Sequence, residues 1–124
     1  DRQILKQEVS MIIVRTTEGE IGVLAHHMPL VSPLVPHLMT VVAADESRQY
    51  WIIGGGFLQV TPDGVIVLAD AADRPDEVDL ALAQKEREAA LEVIGRPAPD
   101  VELARAKRAL ARAEARLRYA KSVH

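Results

Sequence analysis

The residues that could do chemistry in this 124-residue chain are four histidines, the serines at positions 10, 32 and 47, a triple glycine and a stripe of arginines. His26, His27, His37 and His124 could bind a metal or move a proton. His26 and His27 are adjacent, however, and neighbouring side chains on a strand point to opposite faces, which is a poor start for one metal site. No H-x-x-x-H, C-x-x-C or carboxylate-rich calcium loop accompanies them, so structural or interface histidines are the expectation. There is no cysteine, which removes thiolate metal sites and a disulfide framework. Gly54-Gly55-Gly56 has no helix pattern after it and no G-x-x-x-x-G-K-[ST] occurs, so a phosphate cradle is not expected there. Ser10, Ser32 and Ser47 stand in no nucleophile-elbow context. Catalysis is not expected, and the chain reads as one that docks onto partners.

Arg108, Arg112 and Arg116 recur at i, i+4 and i+8, which aligns them on one helix face. Such a stripe is either a solvated face drawn to an acidic neighbouring helix or a docking face for an acidic partner or polyphosphate. Local charge bears on both readings. Residues 76–94 hold six acids against two bases, and residues 100–124 hold seven bases against three acids. A division of this kind is a docking device or a means of mutual attraction between two helices.

The elements that must position these residues are of two kinds, β followed by α. Residues 1–73 carry short β-branched and apolar runs separated by turn signals, as in Val9–Val14, Ile21–Leu24, Met39–Ala43, Gln49–Ile53, Phe57–Val60 and Val65–Leu68. They predict an antiparallel sandwich or flattened barrel. The triple glycine inside this pattern predicts a bulge or a close backbone approach. Residues 25–37 carry three prolines and are therefore expected to be neither helix nor central strand. This segment is also apolar for a loop, so part of it needs a cover.

Residues 74–124 predict an antiparallel helical hairpin, with helices over about 76–94 and 100–121. Pro75-Asp76-Glu77 is a first-turn signal, Gly95 to Pro99 breaks the pattern, and Asp100 is a candidate cap for the second helix. Leu103, Leu110 and Leu117 repeat every seven residues, each followed three residues later by Ala106, Ala113 and Ala120. Alanine gives high helix propensity but buries little. An alanine layer contributes far less than the roughly 1.5–3 kcal/mol of a fully buried leucine. Helices that form readily and pack weakly are expected to be able to detach and bind elsewhere.

Composition is that of a globular chain, with 48% hydrophobic and 27% charged residues, and the 3% aromatic content leaves the core to Val, Ile, Leu and Ala. A formal charge of −3 predicts no general affinity for nucleic acid. No apolar run approaches the roughly 20 residues that span a bilayer. The polar opening after Asp1 carries no signal-peptide pattern.

The stretch Glu18-Gly-Glu-Ile-Gly-Val-Leu-Ala-His-His-Met-Pro-Leu-Val-Ser-Pro-Leu34 closely resembles the most recognisable part of the epsilon subunit of F-type ATP synthases. Gly54–Val60, Val67–Ala71, Pro75–Asp79 and Arg105–Leu117 resemble the same family in order and spacing, so the resemblance covers essentially the whole chain. It implies a β sandwich and a helical hairpin in a non-catalytic central-stalk subunit. The implied partners are the gamma subunit, the ring of c subunits and the alpha/beta catalytic hexamer, on the cytoplasmic face of a bacterial plasma membrane and peripheral to it. By position, Glu20 would meet the c ring, and His27 and Met28 would meet gamma. Arg108, Arg112 and Arg116 would meet the catalytic subunits when the hairpin extends and blocks ATP hydrolysis.

Three departures from the family pattern follow. The family opens with one more strand, so about ten residues are expected before Asp1, without which a strand edge would lie unpaired. Gly-His is usual where this chain has His26-His27. Some bacterial members bind ATP through Asp-x-x-Arg-Ala and two later arginines. Asp79, Ala83, Arg112 and Arg116 match this set, but Leu82 replaces the motif arginine. A leucine cannot pair with phosphate, so no cofactor is expected and ATP binding should be weak or absent. The competing readings are a free-standing ligand-binding sandwich with a helical lid and an ATP-sensing regulatory subunit.

Overall fold

The computed structural model describes residues 3–6, 11–16, 19–24, 29–62 and 64–122. Among these residues seven strands precede two α-helices: β1 (Gln3–Lys6), β2 (Met11–Thr16), β3 (Gly19–Leu24), β4 (Leu30–Val42), β5 (Arg48–Thr61), β6 (Gly64–Ala69) and β7 (Ala72–Asp73), then α1 (Leu80–Ile94) and α2 (Asp100–Ser122). All pairings are antiparallel. The order across the sheet is β1-β6-β5-β4-β2-β3, with β7 also on β5.

Alternation along each strand shows where the core lies. Ile12 and Val14 of β2, Leu58 and Val60 of β5, and Val65, Val67 and Ala69 of β6 are buried, each separated by a less buried neighbour. These residues share one core with Val23, Leu34, Met39, Val41 and Ile53. A single core drawn from both ends of the strand order requires the sheet to fold over itself, which is the expected sandwich. The filling is aliphatic, and Trp51 only flanks it.

The segment with three prolines does not stay out of the sheet. Pro33 and Pro36 lie inside β4, the central strand paired with β5 on one side and β2 on the other. The sheet tolerates them because pairing with β2 is interrupted there. Ile13 faces Thr40 and Thr16 faces Leu34, so three steps along β2 span six along β4. Pro36 falls in that gap and Pro33 lies beyond the last paired residue of β2, so neither withdraws an N–H that β2 could have used. The two strand signals on either side of the glycines also merge, into the 14-residue β5. Gly55 and Gly56 have φ of 102° and 137°, where side-chain-bearing residues are strained. A Cβ on Gly56 would collide with the Leu68 carbonyl oxygen. Of the two expectations for the glycines, the close backbone approach is the one present, since the pairing of β5 with β4 keeps one register through them. The turn that joins β4 to β5 uses Asp45, whose carboxylate accepts from the Ser47 backbone N–H at 3.0 Å and hydroxyl at 2.6 Å.

The first helix begins later than its sequence signal. Pro75–Glu77 is a separate 3-10 turn. The cap of α1 is Asp79, whose carboxylate accepts from the Leu82 N–H at 3.0 Å. Asp100 is the first residue within α2, where its charge complements the positive helix end.

Gly56→Ala should lower stability by roughly 1–3 kcal/mol through backbone strain alone, with the collision added. Urea unfolding of the two forms measures the difference.

Candidate functional site

Three features hold the hairpin against the sandwich. The first is apolar. Ile52 of β5 is buried with Ala115 and Ala120 of α2, and Leu38, Val78 and Tyr119 surround them. The second is a gap in the sheet surface. Gly54 has no side chain, and a Cβ there would lie 2.5 Å from Cγ and Cδ of Arg112. The hydrocarbon stem of Arg112 therefore lies directly across the glycine. The third is a clasp. Arg116 donates from Nε to Oδ2 of Asp73 at 2.8 Å and from Nη1 to Oε2 of Glu86 at 3.1 Å. One guanidinium thus ties α2 both to the end of β7 and to α1. Beside it, the Arg74 guanidinium lies 5.2 Å from the centroid of the Trp51 ring.

Within the hairpin the contact is alanine-rich. Ala83 and Ala90 of α1 and Ala106 and Ala113 of α2 are buried, whereas Leu103, Leu110 and Leu117 of the expected seam are only partly buried. α2 packs against both the sheet and α1, so a residue of the heptad pattern meets a partner on either side. A cleft of about 420 Å³ runs between the helices, lined by Ala89, Ala90, Val93, Ala106 and Ala109 together with Glu86, Glu102 and Arg105. Among the described residues, two further ion pairs across the hairpin run against the overall charge division. Arg87 faces Glu114 at 3.8 Å and Arg96 faces Glu102 at 3.6 Å, with the base on the α1 side in each. Arg116–Glu86 has the polarity the composition suggests.

A larger cleft, about 610 Å³, opens between the sandwich and the hairpin. Arg15, Val35 and Pro36 form its sandwich wall, and Arg87, Ala111, Glu114, Ala115, Leu117, Arg118 and Tyr119 its helical wall. Behind the sandwich wall lies His37, only 3% exposed. Its Nε2 accepts from the Arg15 backbone N–H at 3.0 Å, and its Nδ1 stands 2.6 Å from the Val35 carbonyl oxygen. The donor at Arg15 and the acceptor at Val35 together require the neutral ring with the proton on Nδ1.

The sequence-designated residues are distributed as follows. Glu20 is exposed (62%) on β3 and faces Arg15 across the β2–β3 pair at 3.8 Å. His26, His27, Met28 and His124 lie outside the described residues. Arg108 is exposed, whereas Arg112 and Arg116 are engaged within the fold as above. Of the ATP-motif positions, Asp79 caps α1, Leu82 is 52% exposed and Ala83 is buried. Among the described residues no group of three or more His, Cys, Asp or Glu could hold a metal ion. No helix among them is long and apolar enough to cross a membrane.

Sequence reasoning did not single out Gly54 as the seat of Arg112, Asp73 as its neighbour's partner, or His37 as a plug in the sheet. Gly54 carried a signal in the triple glycine, but the partner of a missing side chain is set by tertiary contact.

The profile of the family described as ATP synthase, Delta/Epsilon chain, beta-sandwich domain matches residues 1–75. A Moorella thermoacetica protein named ATP synthase epsilon chain is 37% identical over 123 residues, covering 99% of this chain and 92% of that one. The chain belongs to the ATP synthase epsilon-chain family. A second member, from Herpetosiphon aurantiacus, is 39% identical over 121 residues, 98% of this chain and 88% of its own. Among solved structures, the cryo-EM structure of the Euglena gracilis mitochondrial ATP synthase, OSCP/F1/c-ring in rotational state 1, contains a chain that matches with a TM-score of 0.70 at 33% identity. That match covers 90% of this chain and 70% of the other. The sandwich-plus-hairpin architecture is thus the family's, and in this epsilon-family chain the Arg116 clasp and the Arg112–Gly54 contact join the apolar Ile52 cluster in seating the hairpin.

Removing the clasp with Arg116→Ala should weaken hairpin docking by about 1–2 kcal/mol, between the values for an exposed pair and a charged hydrogen bond. Gly54→Ala should act in the same direction by displacing Arg112. In both variants limited trypsin digestion should cut the hairpin faster than in wild type while the sandwich fragment persists; equal cutting rates would show that these contacts do not hold the hairpin.

Proposed function

We propose that this chain is the central-stalk epsilon subunit of a proton-translocating F-type ATP synthase, non-catalytic in itself, in which the sandwich couples gamma to the c ring and the hairpin restrains ATP hydrolysis. The observation that carries the regulatory part is the way the hairpin is held. The sandwich has its own closed aliphatic core, and the hairpin adds to it through alanines, one isoleucine and a single two-way arginine clasp. Burial of alanine side chains contributes little, so docking is a modest free energy that another partner can outbid.

The arginine stripe supplies the exchange. In the folded form Arg112 lies on Gly54 and Arg116 on Asp73 and Glu86, leaving Arg108 alone of the three exposed. When the hairpin leaves its seat all three are freed together on one helix face. Acidic segments of the alpha/beta hexamer would then replace the carboxylates of Asp73 and Glu86. Folded and extended states compete for the same guanidinium groups, which makes them mutually exclusive. On the sandwich, exposed Glu20 is the proposed contact for the polar loops of the c ring, and His27 and Met28 the proposed contacts for gamma. Attachment to the cytoplasmic face of a bacterial plasma membrane would run through these partners.

For nucleotide, the proposal is weak or absent binding. Leu82 offers no charge, and Asp79 and Arg116 already have partners in the fold.

In the assembled ATP synthase, deleting residues 74–124 should raise ATP hydrolysis severalfold while the sandwich still co-purifies with gamma. Unchanged hydrolysis removes the inhibitory role. Calorimetry with Mg-ATP should show little heat for the wild-type chain and measurable binding for Leu82→Arg, a restored charged contact being worth about 1.5–3 kcal/mol. Tight wild-type binding would overturn this reading of Leu82.

A further inference from the structure

We propose that His37 is a proton-sensitive plug in the sheet whose protonation loosens the wall on which the hairpin rests. The geometry begins with an irregularity in β4. Leu34, His37, Met39 and Val41 are its buried residues, so the inward step from Leu34 to His37 is three residues where the next steps are two. That places a bulge at Val35–Pro36. Opposite it, β2 loses register between Ile13 and Thr16. The ladder therefore has a hole beside Arg15, whose backbone N–H would be left without a strand acceptor. His37 fills the hole, with Nε2 taking the Arg15 N–H and Nδ1–H returning to the Val35 carbonyl. A side chain here does the work of a backbone partner.

Both groups that hold the ring belong to the cleft wall that faces the hairpin, since Arg15, Val35 and Pro36 line one side of it and α1 and α2 the other. A second proton on the ring would turn Nε2 from acceptor to donor, facing the Arg15 N–H. The 3.0 Å bond then cannot persist, and β2 and β4 lose this side-chain tie across the gap. The charged and titratable groups around the ring are Arg15 of β2 and Glu20 of β3. Opposite His37 on β5 stands Ile53, which is apolar. Across the cleft stand Arg87 of α1 and Glu114, Arg118 and Tyr119 of α2. The arginines outnumber the acids, so the surroundings do not welcome an imidazolium.

Burial holds the His37 imidazole below the ordinary histidine value, the hydrogen bond to Val35 opposes this, Arg15 adds to it and Glu20 opposes it. The neutral ring is thus the folded form. Its contribution to stability is fully present above the ordinary histidine range, and is lost as pH falls through that value towards the lowered one in the fold. The hairpin should therefore leave its seat on acidification. Whether that release inhibits hydrolysis rests on the function proposed above, but the release itself is a property of the isolated chain and is tested there.

The chain contains no cysteine, so a Gln59→Cys, Val101→Cys double variant carries one label on the exposed face of β5 and one near the hairpin tip. Between pH 7.5 and 4.5 the distance between the labels should lengthen in a transition whose midpoint coincides with protonation of the His37 ring, followed by its ¹⁵N resonances. The same variant carrying His37→Gln, neutral throughout, should show no transition in that range. A ring that protonates with no change in label distance overturns the proposal. So does a ring that never protonates in the range, or release with an unchanged midpoint in the glutamine variant. Should His37→Gln fail to fold, the comparison of ring protonation with hairpin release in the wild-type background still decides.

Discussion

From Leu30 opposite Val60 to Val42 opposite Arg48, β4 and β5 keep a single register, and the other elements take their places from that ladder. The far half of β5 receives β6, which receives β1, while its near half receives β7. β2 and then β3 add to β4. Two strands of this length cannot stay flat with twist accumulating along them, so the sheet turns over and its two ends meet across one core. Met39, Ile53, Leu58 and Val60 of these two strands are among the most completely buried large side chains in that core.

The irregular residues of these two strands coincide with the hairpin seat. The Val35–Pro36 bulge, its His37 plug and the Gly54–Gly56 run lie near one another on paired strands, with Pro36 opposite Gly54 and His37 opposite Ile53. Around these residues the surface carries a hollow or a missing side chain. Arg112 lies over Gly54 and the larger cleft opens beside Pro36. Irregular sheet geometry is costly unless the surroundings impose it. Here it shapes the face that receives a second unit, which is a reason for it to sit in mid-strand rather than at an edge.

The hairpin is built in the opposite manner. Its helices are rich in residues that favour helix in isolation, and their buried positions are mostly alanine, so each helix needs its neighbours less than a leucine-packed helix would. What binds it to the sandwich is specific rather than large. Arg116 satisfies two carboxylates from different elements, and a charged network of that geometry fixes orientation even where its net free energy is small. Strong local structure, weak packing and a precise latch together describe a part that can move as a unit.

Much was legible in the sequence because it rests on local pattern. Alternating aliphatic runs specified β structure, the shift to helical spacing after Pro75 marked the second unit, Gly95 to Pro99 marked the turn between helices, and the ordered motifs around Glu20 to Leu34 indicated the family. The misreadings came where long-range pairing decides. Prolines argued against a strand at residues 30–37, yet the bulge opposite β2 let β4 run through them. Asp76 and Glu77 looked like a helix start, yet a 3-10 turn intervenes and Asp79 makes the cap. The arginine stripe was visible as i, i+4, i+8 spacing, but its occupants were not. That Arg112 finds a glycine, that Arg116 finds Asp73 and Glu86, and that His37 completes a ladder for Arg15 depend on which residues the folded sheet brings together from distant parts of the chain. Residue type and spacing determined the elements and the charges available to them; only tertiary structure decided which charges are spent within the fold, because that depends on contacts between segments whose separation along the chain carries no signal of their distance in space.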